Sequence, residues 1–253
     1  MEGPANEVVG QLVDRRSVRR FEDRAVDQRE VDLILEAAFQ APTAGDQQLY
    51  SIIDVRDQQE KDTLSVLCDN QPFIASAPLV LVFCADCEKW PVIYRQAGCQ
   101  PREPGVGDLM LAVCDAVIAA QNAVTAAWSL GIGSCYIGDV MERCDDVRAL
   151  LELPDHVFPA AMLVLGYPTE QQAARPKPPR APMDAIVMRD RYRGHGAYGA
   201  ESLVSRRVEA SGSSFDDWVR SFHARKYDSA FAREMTRSVG EYLSAYDTTG
   251  VDE

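Results

Sequence analysis

The strongest constraint on the fold of this 253-residue chain is the apolar stretch from Leu109 to Leu130. A cap at Asp108 starts a helical pattern that is apolar almost all round, which predicts a buried central helix. Asp115, Gln121 and Asn122 interrupt the stretch, and a membrane-spanning helix does not tolerate such residues cheaply. The heptad spacing of Asp108, Asp115 and Asn122 predicts a single polar line along this helix.

Strand patterns and helical patterns are mixed along the rest of the chain. Apolar runs predict strands at 50–55, 79–83, 134–137 and 160–165. Helical patterns cover 8–14, 27–39, 57–67, 215–222 and 231–246, and the second of these begins with the capping pair Asp27 and Glu30. The Pro- and Gly-rich stretch 90–107 predicts irregular structure, and 171–182 predicts an extended connector. A mixture of this kind predicts an α+β or α/β fold.

The charge of the chain restricts its partners. Its 26 Lys and Arg against 39 Asp and Glu give a net charge of −13, which argues against nucleic acid and anionic membrane surfaces as main partners. The N-terminal residues have neither the basic flank nor the apolar core of a signal peptide, so we expect a cytoplasmic protein. Seven scattered cysteines predict free thiols rather than a disulfide framework.

A basic cluster near the N-terminus is unusual in so acidic a chain. Arg15, Arg16, Arg19 and Arg20 surround Ser17. Guanidinium groups match phosphate oxygens in pairs and a hydroxyl adds a hydrogen bond, which favours a phosphate site. The same residues are equally compatible with the solvated C-terminus of a helix, where cations are favoured.

Two further segments contain glycines and small residues. In the loop 41–50, small residues would let the backbone approach a planar ligand, and Asp46 and Gln48 offer hydrogen-bonding groups. Without other information, an ordinary helix-to-strand loop is the commoner explanation. The glycines of 130–138 lack the preceding strand of a dinucleotide loop, which favours a helix end that turns into a strand.

Two other groups of residues allow chemical interpretations. Lys177 and Arg180 flank two prolines and fit either an anion clamp or a solvated linker. Cys84, Cys87 and Cys99 have thiol or metal spacing, but a zinc site needs four compact ligands and the three histidines lie far away in sequence. A buried strand end explains Cys84 more simply.

Taken in order, these segments resemble the nitroreductase / flavin reductase family. Arg-Arg-Ser-Val-Arg-Arg-Phe resembles its phosphate motif, Ala-Pro-Thr-Ala-Gly-Asp-Gln-Gln-Leu-Tyr its flavin loop, Leu-Gly-Ile-Gly-Ser-Cys-Tyr-Ile-Gly a glycine-rich segment, and Leu-Val-Leu-Gly-Tyr-Pro its penultimate strand and turn. The resemblance covers roughly Val8 to Tyr192. It implies an α+β nitroreductase-like fold with a central, mainly antiparallel sheet flanked by helices, a long buried central helix, and a homodimer with FMN bound between subunits. Residues 1–192 would form the FMN-binding domain, and 193–253 a helical C-terminal extension.

The resemblance also assigns cofactor contacts residue by residue. Four residues, Arg15, Arg16, Ser17 and Arg19, would hold the FMN phosphate and ribityl chain. The remaining contacts would be Ala44, Asp46, Gln48, Gln71, Tyr136, Ile137, Gly138, Lys177 and Arg180. The chain departs from the family pattern in three places: Asp46 replaces an Asn, Leu49-Tyr50 replaces Pro-Trp, and one residue more separates Lys177 from Arg180.

The implied activity is FMN-dependent reduction of electron-poor acceptors by NAD(P)H. In a ping-pong sequence, hydride passes to the flavin and then to a nitroaromatic, quinone or flavin acceptor. The cofactor performs this chemistry, so no catalytic side chain and no metal are expected. The alternatives are a flavin-binding store or sensor without NAD(P)H turnover, and a thiol or metal protein built on Cys84, Cys87 and Cys99.

Overall fold

The computed structural model describes residues 6–192 and 200–247, so 193–199 and 248–253 of the predicted C-terminal extension lie outside the described residues. The strands are β1 (Tyr50–Asp54), β2 (Leu79–Asp86), β3 (Gly133–Ile137) and β4 (Val157–Gly166). They form one sheet in the order β1-β2-β4-β3, and every neighbouring pair is antiparallel. The predicted antiparallel sheet and its four strands are therefore confirmed.

Helices precede, separate and follow these strands along the described chain. Their bounds are α1 Glu7–Asp14, α2 Gln28–Phe39, α3 Gln58–Leu67, α4 Pro72–Ala75, α5 Lys89–Gln96, α6 Val106–Ser129, α7 Cys144–Leu150, α8 Glu170–Ala173, α9 Ser205–Ser211, α10 Phe215–Lys226 and α11 Ala230–Ser244. Short 3-10 turns lie at Ala44–Asp46, Asp139–Met141, Met183–Ala185 and Ala200–Leu203.

Three predictions from the sequence were wrong. The stretch 90–107 contains α5 and the start of α6, because Pro91 lies in the first turn of α5, where its missing N–H breaks no helical hydrogen bond. The N-cap of α6 is Gly105, and Asp108 lies in the first turn, where its carboxylate accepts the Gly105 N–H at 2.8 Å. The predicted connector 171–182 begins inside α8, which Thr169 caps.

The two faces of the sheet bury different helices. Leu79, Leu81 and Phe83 of β2 pack with α2 and α6, whereas Val80 and Val82 pack with α3 and α7 on the other face. A strand buried on both faces reads as a continuous apolar run, which explains the pattern of β2 in the sequence.

The long helix α6 is the central helix that the sequence predicts. Six alanines let its backbone lie close to the sheet and to α2, and all six are fully buried: Ala112, Ala116, Ala119, Ala120, Ala123 and Ala127. Among the described residues it is also the one helix long and apolar enough to cross a membrane. Its buried face and the carboxylate of Asp115, which is 2% exposed, identify it as a core helix.

The chain divides into two compact units. One comprises Met1–Arg175 and Glu234–Glu253 and contains the sheet, and the other comprises Pro176–Arg233. In the first unit, Tyr242 of α11 is fully buried, and its ring meets Phe158 of β4 edge-on at 5.0 Å. In the second unit, Trp218 and Phe222 of α10 stack at 4.9 Å. The division at residue 192 stays a prediction.

Candidate functional site

The basic segment after α1 runs in extended form along the edge of the sheet. Ser17 forms a parallel bridge with Ser134 of β3, and the Val18 N–H donates to the Ser134 carbonyl at 2.9 Å. Gly133 permits this approach, because a Cβ there would come within 2.4 Å of a Val18 methyl carbon. Successive side chains of an extended segment point to opposite sides, so the basic cluster is divided between two faces.

The odd-numbered polar residues lie around Cys135 of β3. Arg15, Ser17 and Arg19 all act on the thiol of Cys135: burial raises its pKa, while the charges of Arg19 and Arg15 and hydrogen bonds from Ser17 and Arg19 oppose the rise. The Arg19 guanidinium also lies 5.8 Å from the centre of the Phe73 ring. We call these three residues the odd face; they present two guanidinium groups and a hydroxyl together.

Tyr136 follows Cys135 in β3 and packs on the opposite face of the sheet, where it feels the charge of Arg15. Its hydroxyl is buried and has no hydrogen-bond partner among the described residues. Burial raises the pKa of Tyr136 to about 12, and the nearby charge of Arg15 opposes the rise. A buried hydroxyl without a partner costs free energy, and such groups commonly mark a ligand or an ordered water.

The even-numbered arginines face α8 instead. Arg16 donates to the backbone carbonyls of Ala173 and Arg175, at 3.2 and 2.7 Å, and so binds the C-terminal end of α8, where cations are favoured. Arg20 donates to the Gln171 side chain at 3.0 Å. The cluster is therefore not a solvated end of α1, whose last turn contains no basic residue, and the assignment of Arg16 to phosphate stays a prediction.

A strained loop connects α2 to β1. Gly45, Asp46 and Gln48 have φ values of 57°, 58° and 49°, the left-handed region that costs most residues about 1 kcal/mol or more. The buried carboxylate of Asp115 holds this loop: it accepts the Ala44 N–H at 2.9 Å and the Leu49 N–H at 3.2 Å. A strained backbone conformation persists only where surrounding contacts hold it in place, and the two hydrogen bonds of Asp115 do so here.

Sequence reasoning did not assign Asp115 to the site, although it placed this residue on a polar line of α6. All three residues of that line make side-chain hydrogen bonds: Asp108 accepts from Gly105, Asp115 accepts from the loop, and Asn122 donates to the Ala37 carbonyl at 3.1 Å. A lone carboxylate within an apolar helix was the available signal.

The other predicted contacts lie in separate places. Gln71 caps α4, and its amide donates to the Cys68 carbonyl at 2.8 Å. Ile137 is buried at the end of β3, and Gly138 is exposed just after it. Lys177 and Arg180 belong to the Pro176–Arg233 unit.

The odd face and the strained loop lie at opposite ends of the sheet. Ser134, which the basic segment bridges, is opposite Leu165 in β4, and Leu165 pairs with Leu79 at the start of β2. The loop leads into Tyr50, which pairs with Ala85 near the end of β2. The eight residues of β2 span about 25 Å at ~3.3 Å per residue, so one chain keeps these two parts well apart.

The cysteines are all free thiols. Burial raises the pKa of Cys84 and of Cys87 to about 12, which makes them poor nucleophiles at neutral pH. Within residues 6–192 and 200–247, no three His, Cys, Asp or Glu side chains are placed to hold a metal ion.

Comparison with known proteins agrees with this architecture. The sequence model of the Nitroreductase family matches residues 12–167. An FMN reductase [NAD(P)H] of Bacillus subtilis is 32% identical over 94% of this chain and 91% of its own, and an oxygen-insensitive NADPH nitroreductase of Salmonella typhimurium is 34% identical over 72% of each chain. The structure of NfrA1 nitroreductase from B. subtilis superposes with a TM-score of 0.78 at 28% identity, covering 92% of this chain and 98% of that one. This chain therefore belongs to the nitroreductase family, as its motifs predict.

Proposed function

We propose that this protein is an FMN-dependent oxidoreductase that uses NAD(P)H to reduce electron-poor acceptors such as nitroaromatics, quinones or flavins. The observation that carries the proposal is the odd face, where Arg15, Ser17 and Arg19 converge beside β3 in a chain of the nitroreductase family. The names of the relatives, FMN reductase and NADPH nitroreductase, support the same chemistry.

The residues of the odd face fit the FMN phosphate. Two guanidinium groups and a hydroxyl offer the donors that a phosphate prefers, and they are concentrated in a chain with a net charge of −13. The buried Tyr136 hydroxyl of β3, which lacks a partner among the described residues, could donate a further hydrogen bond to the cofactor. Bound FMN would supply the acceptance and release of hydride, and the protein would supply position and charge.

The site is completed in this proposal by a second copy of the chain. One chain keeps the loop and the odd face at opposite ends of β2, so the loop that meets an odd face would come from the partner. Helix α6 offers the pairing surface, because a stripe of exposed apolar residues follows it: Val106, Met110, Leu111, Val117 and Ile118. Two copies of α6 packed antiparallel about a two-fold axis would bring each loop to the opposite odd face.

The loop brings one departure from the family pattern to this site. Asp46 is exposed at its turn, and an ionised carboxylate only accepts hydrogen bonds, whereas the usual Asn also donates. A negative charge close to the ring would disfavour anionic reduced flavin. We therefore expect the reduction potential of bound flavin to be lower in the unaltered protein than in the Asp46→Asn variant. Dye-coupled reductive titration measures this difference.

The test is an absorbance spectrum of the purified protein, with FMN added, before and after NADPH or NADH under nitrogen. Flavin bands that either nucleotide bleaches, and that an added quinone restores, support the proposal. Bound flavin that neither nucleotide bleaches would indicate the store or sensor. No flavin binding would refute both.

A matched pair of variants tests the phosphate assignment itself. Arg19→Ala removes a guanidinium from the odd face, and Arg20→Ala removes the neighbouring one, which faces α8. We expect FMN affinity to fall by tenfold or more for Arg19→Ala, since a charged hydrogen bond contributes ~1.5–3 kcal/mol. The affinity of Arg20→Ala should stay close to that of the unaltered protein. Equal losses in both variants would refute the division into two faces.

A further inference from the structure

A cavity of about 320 Å³ opens between α5, the segment that follows it and the first turns of α6. It lies in the unit that contains the sheet. None of the residues assigned to FMN lines it, although Gln47 and Leu49 of the strained loop do. The proposed flavin contacts therefore leave this cavity unexplained.

Rigid aromatic and proline side chains form its walls. Trp90 and Tyr94 of α5 lie side by side, with ring centres 5.7 Å apart and planes inclined by 39°. The Trp90 indole N–H donates to the Gln47 carbonyl at 2.9 Å, which fixes the orientation of that ring. Pro91 and Pro101 add walls without rotatable side chains. A surface of this kind is preorganised for a flat apolar ligand.

The lining is electrically neutral. Its two charged residues, Arg102 and Asp108, pair with each other through hydrogen bonds of 2.6 and 3.0 Å. The amides of Gln47 and Gln100 remain as neutral polar groups at the wall. An ionic ligand would meet no unpaired charge among these residues, whereas a neutral ligand with a polar edge would meet amide donors and acceptors.

We infer that this cavity is a binding site for a neutral, planar aromatic molecule. Small-molecule sites span ~300–1,000 Å³, so a cavity of about 320 Å³ suits a ligand of about two fused rings. The ligand lies against Gln47 and Leu49, and its binding therefore acts on the loop that Asp115 holds. The inference does not rest on FMN binding or on NAD(P)H turnover.

Cys99 provides a direct readout of occupancy. It lines the cavity and is exposed, and Cys114 is the other exposed cysteine among the seven. In Cys114→Ser, Cys99 is the one thiol that iodoacetamide should modify quickly. The probe is 2-naphthol, a neutral bicyclic molecule that nitroreductase chemistry does not reduce. Mass spectrometry of the alkylated protein should show a rate lowered by the factor 1 + [L]/Kd, about tenfold at ten times Kd.

Two variants of α5 make the test specific. Tyr94→Ala removes one aromatic wall and should abolish most of the protection, while Ile93→Ala, an exposed neighbour outside the lining, should keep it. An unchanged alkylation rate in 2-naphthol would overturn the inference, and so would protection that survives Tyr94→Ala. The inference would also be overturned if Cys99 resisted alkylation in the absence of 2-naphthol, because the cavity would then be covered in solution. Flavin content, recorded on the same samples, reports separately on the proposed function.

Discussion

Replacing Asp115 with Asn would remove the constraint that holds the strained loop. The carboxylate is 2% exposed and accepts two backbone N–H groups, from Ala44 at 2.9 Å and from Leu49 at 3.2 Å. Asn keeps the shape of the side chain but has one acceptor oxygen, so its NH₂ group must face one of the two backbone donors. One buried N–H then loses its partner, and the other keeps only a neutral hydrogen bond.

The magnitude follows from these two losses. A hydrogen bond to a charged group contributes ~1.5–3 kcal/mol and a neutral one ~0.5–1.5, while an unsatisfied buried donor costs ~1–3 kcal/mol. We therefore expect Asp115→Asn to lower the free energy of unfolding by about 3 kcal/mol, a large share of the ~5–15 kcal/mol that holds a typical protein together.

Urea denaturation at pH 7 measures this loss, with Glu36→Gln as the matched control. Glu36 is an exposed carboxylate on α2, so the same change from carboxylate to amide should alter stability there by less than ~0.5 kcal/mol. A loss below about 1 kcal/mol in Asp115→Asn would refute the reasoning, because it would mean that the loop does not depend on the carboxylate.

The same variant has a spectroscopic signature. Burial raises the pKa of Tyr50, and the negative charge of Asp115 raises it further. Asp115→Asn removes the second cause, so the Tyr50 phenol should ionise at lower pH than in the unaltered protein. Ultraviolet titration of the phenolate band, compared with Tyr50→Phe to identify the signal, checks this direction.

Three further predictions follow from other parts of the fold. Gly133→Ala should destabilise the protein by ~1–3 kcal/mol through overpacking against Val18, and Val18→Ala should recover part of this loss in a thermal-shift assay; strictly additive losses would contradict the contact. Burial, assisted by neighbouring carboxylates, raises the pKa of Glu142 from 4.5 to about 7, so the folded protein binds a proton more tightly than the unfolded chain. Stability should consequently fall by about 2 kcal/mol as the pH rises from 5 to 8, and urea curves of Glu142→Gln should lack this change. Finally, Arg19→Ala and Gly45→Val chains mixed in equal amounts should recover about a quarter of the turnover. Half of the dimers would then contain one chain of each kind, and one of their two sites would combine an unaltered odd face with an unaltered loop. No recovery would argue for a site within one chain.

Local patterns predicted much of the secondary structure. The apolar runs of β2 and β4, the capping pair of Asp27 and Glu30 and the apolar length of α6 each depend on residues close together in the chain. The prediction of irregular structure around α5 was wrong for a local reason as well. Proline disrupts a helix interior but not a first turn, and a sequence pattern does not show in which turn Pro91 lies.

The candidate site was predictable as motifs but not as an arrangement. The order of the four family-like segments identified the family, and the composition of the basic cluster indicated an anion site. Whether Arg16 or Arg19 faces that site depends on the bridge between Ser17 and Ser134, two residues far apart in sequence. No periodicity within the cluster reports which side of an extended segment will meet β3.

The sequence by itself thus determined the periods of strands and helices, the acidic charge and the membership of a family. Only the tertiary structure decided that the basic cluster divides between β3 and α8, that Asp115 joins α6 to the loop, and that the loop and the odd face lie at opposite ends of the sheet. The physical reason is that periodicity reflects neighbours along one segment. Hydrogen bonds such as those of Asp115 join segments whose proximity depends on the packing of the whole sheet and its helices.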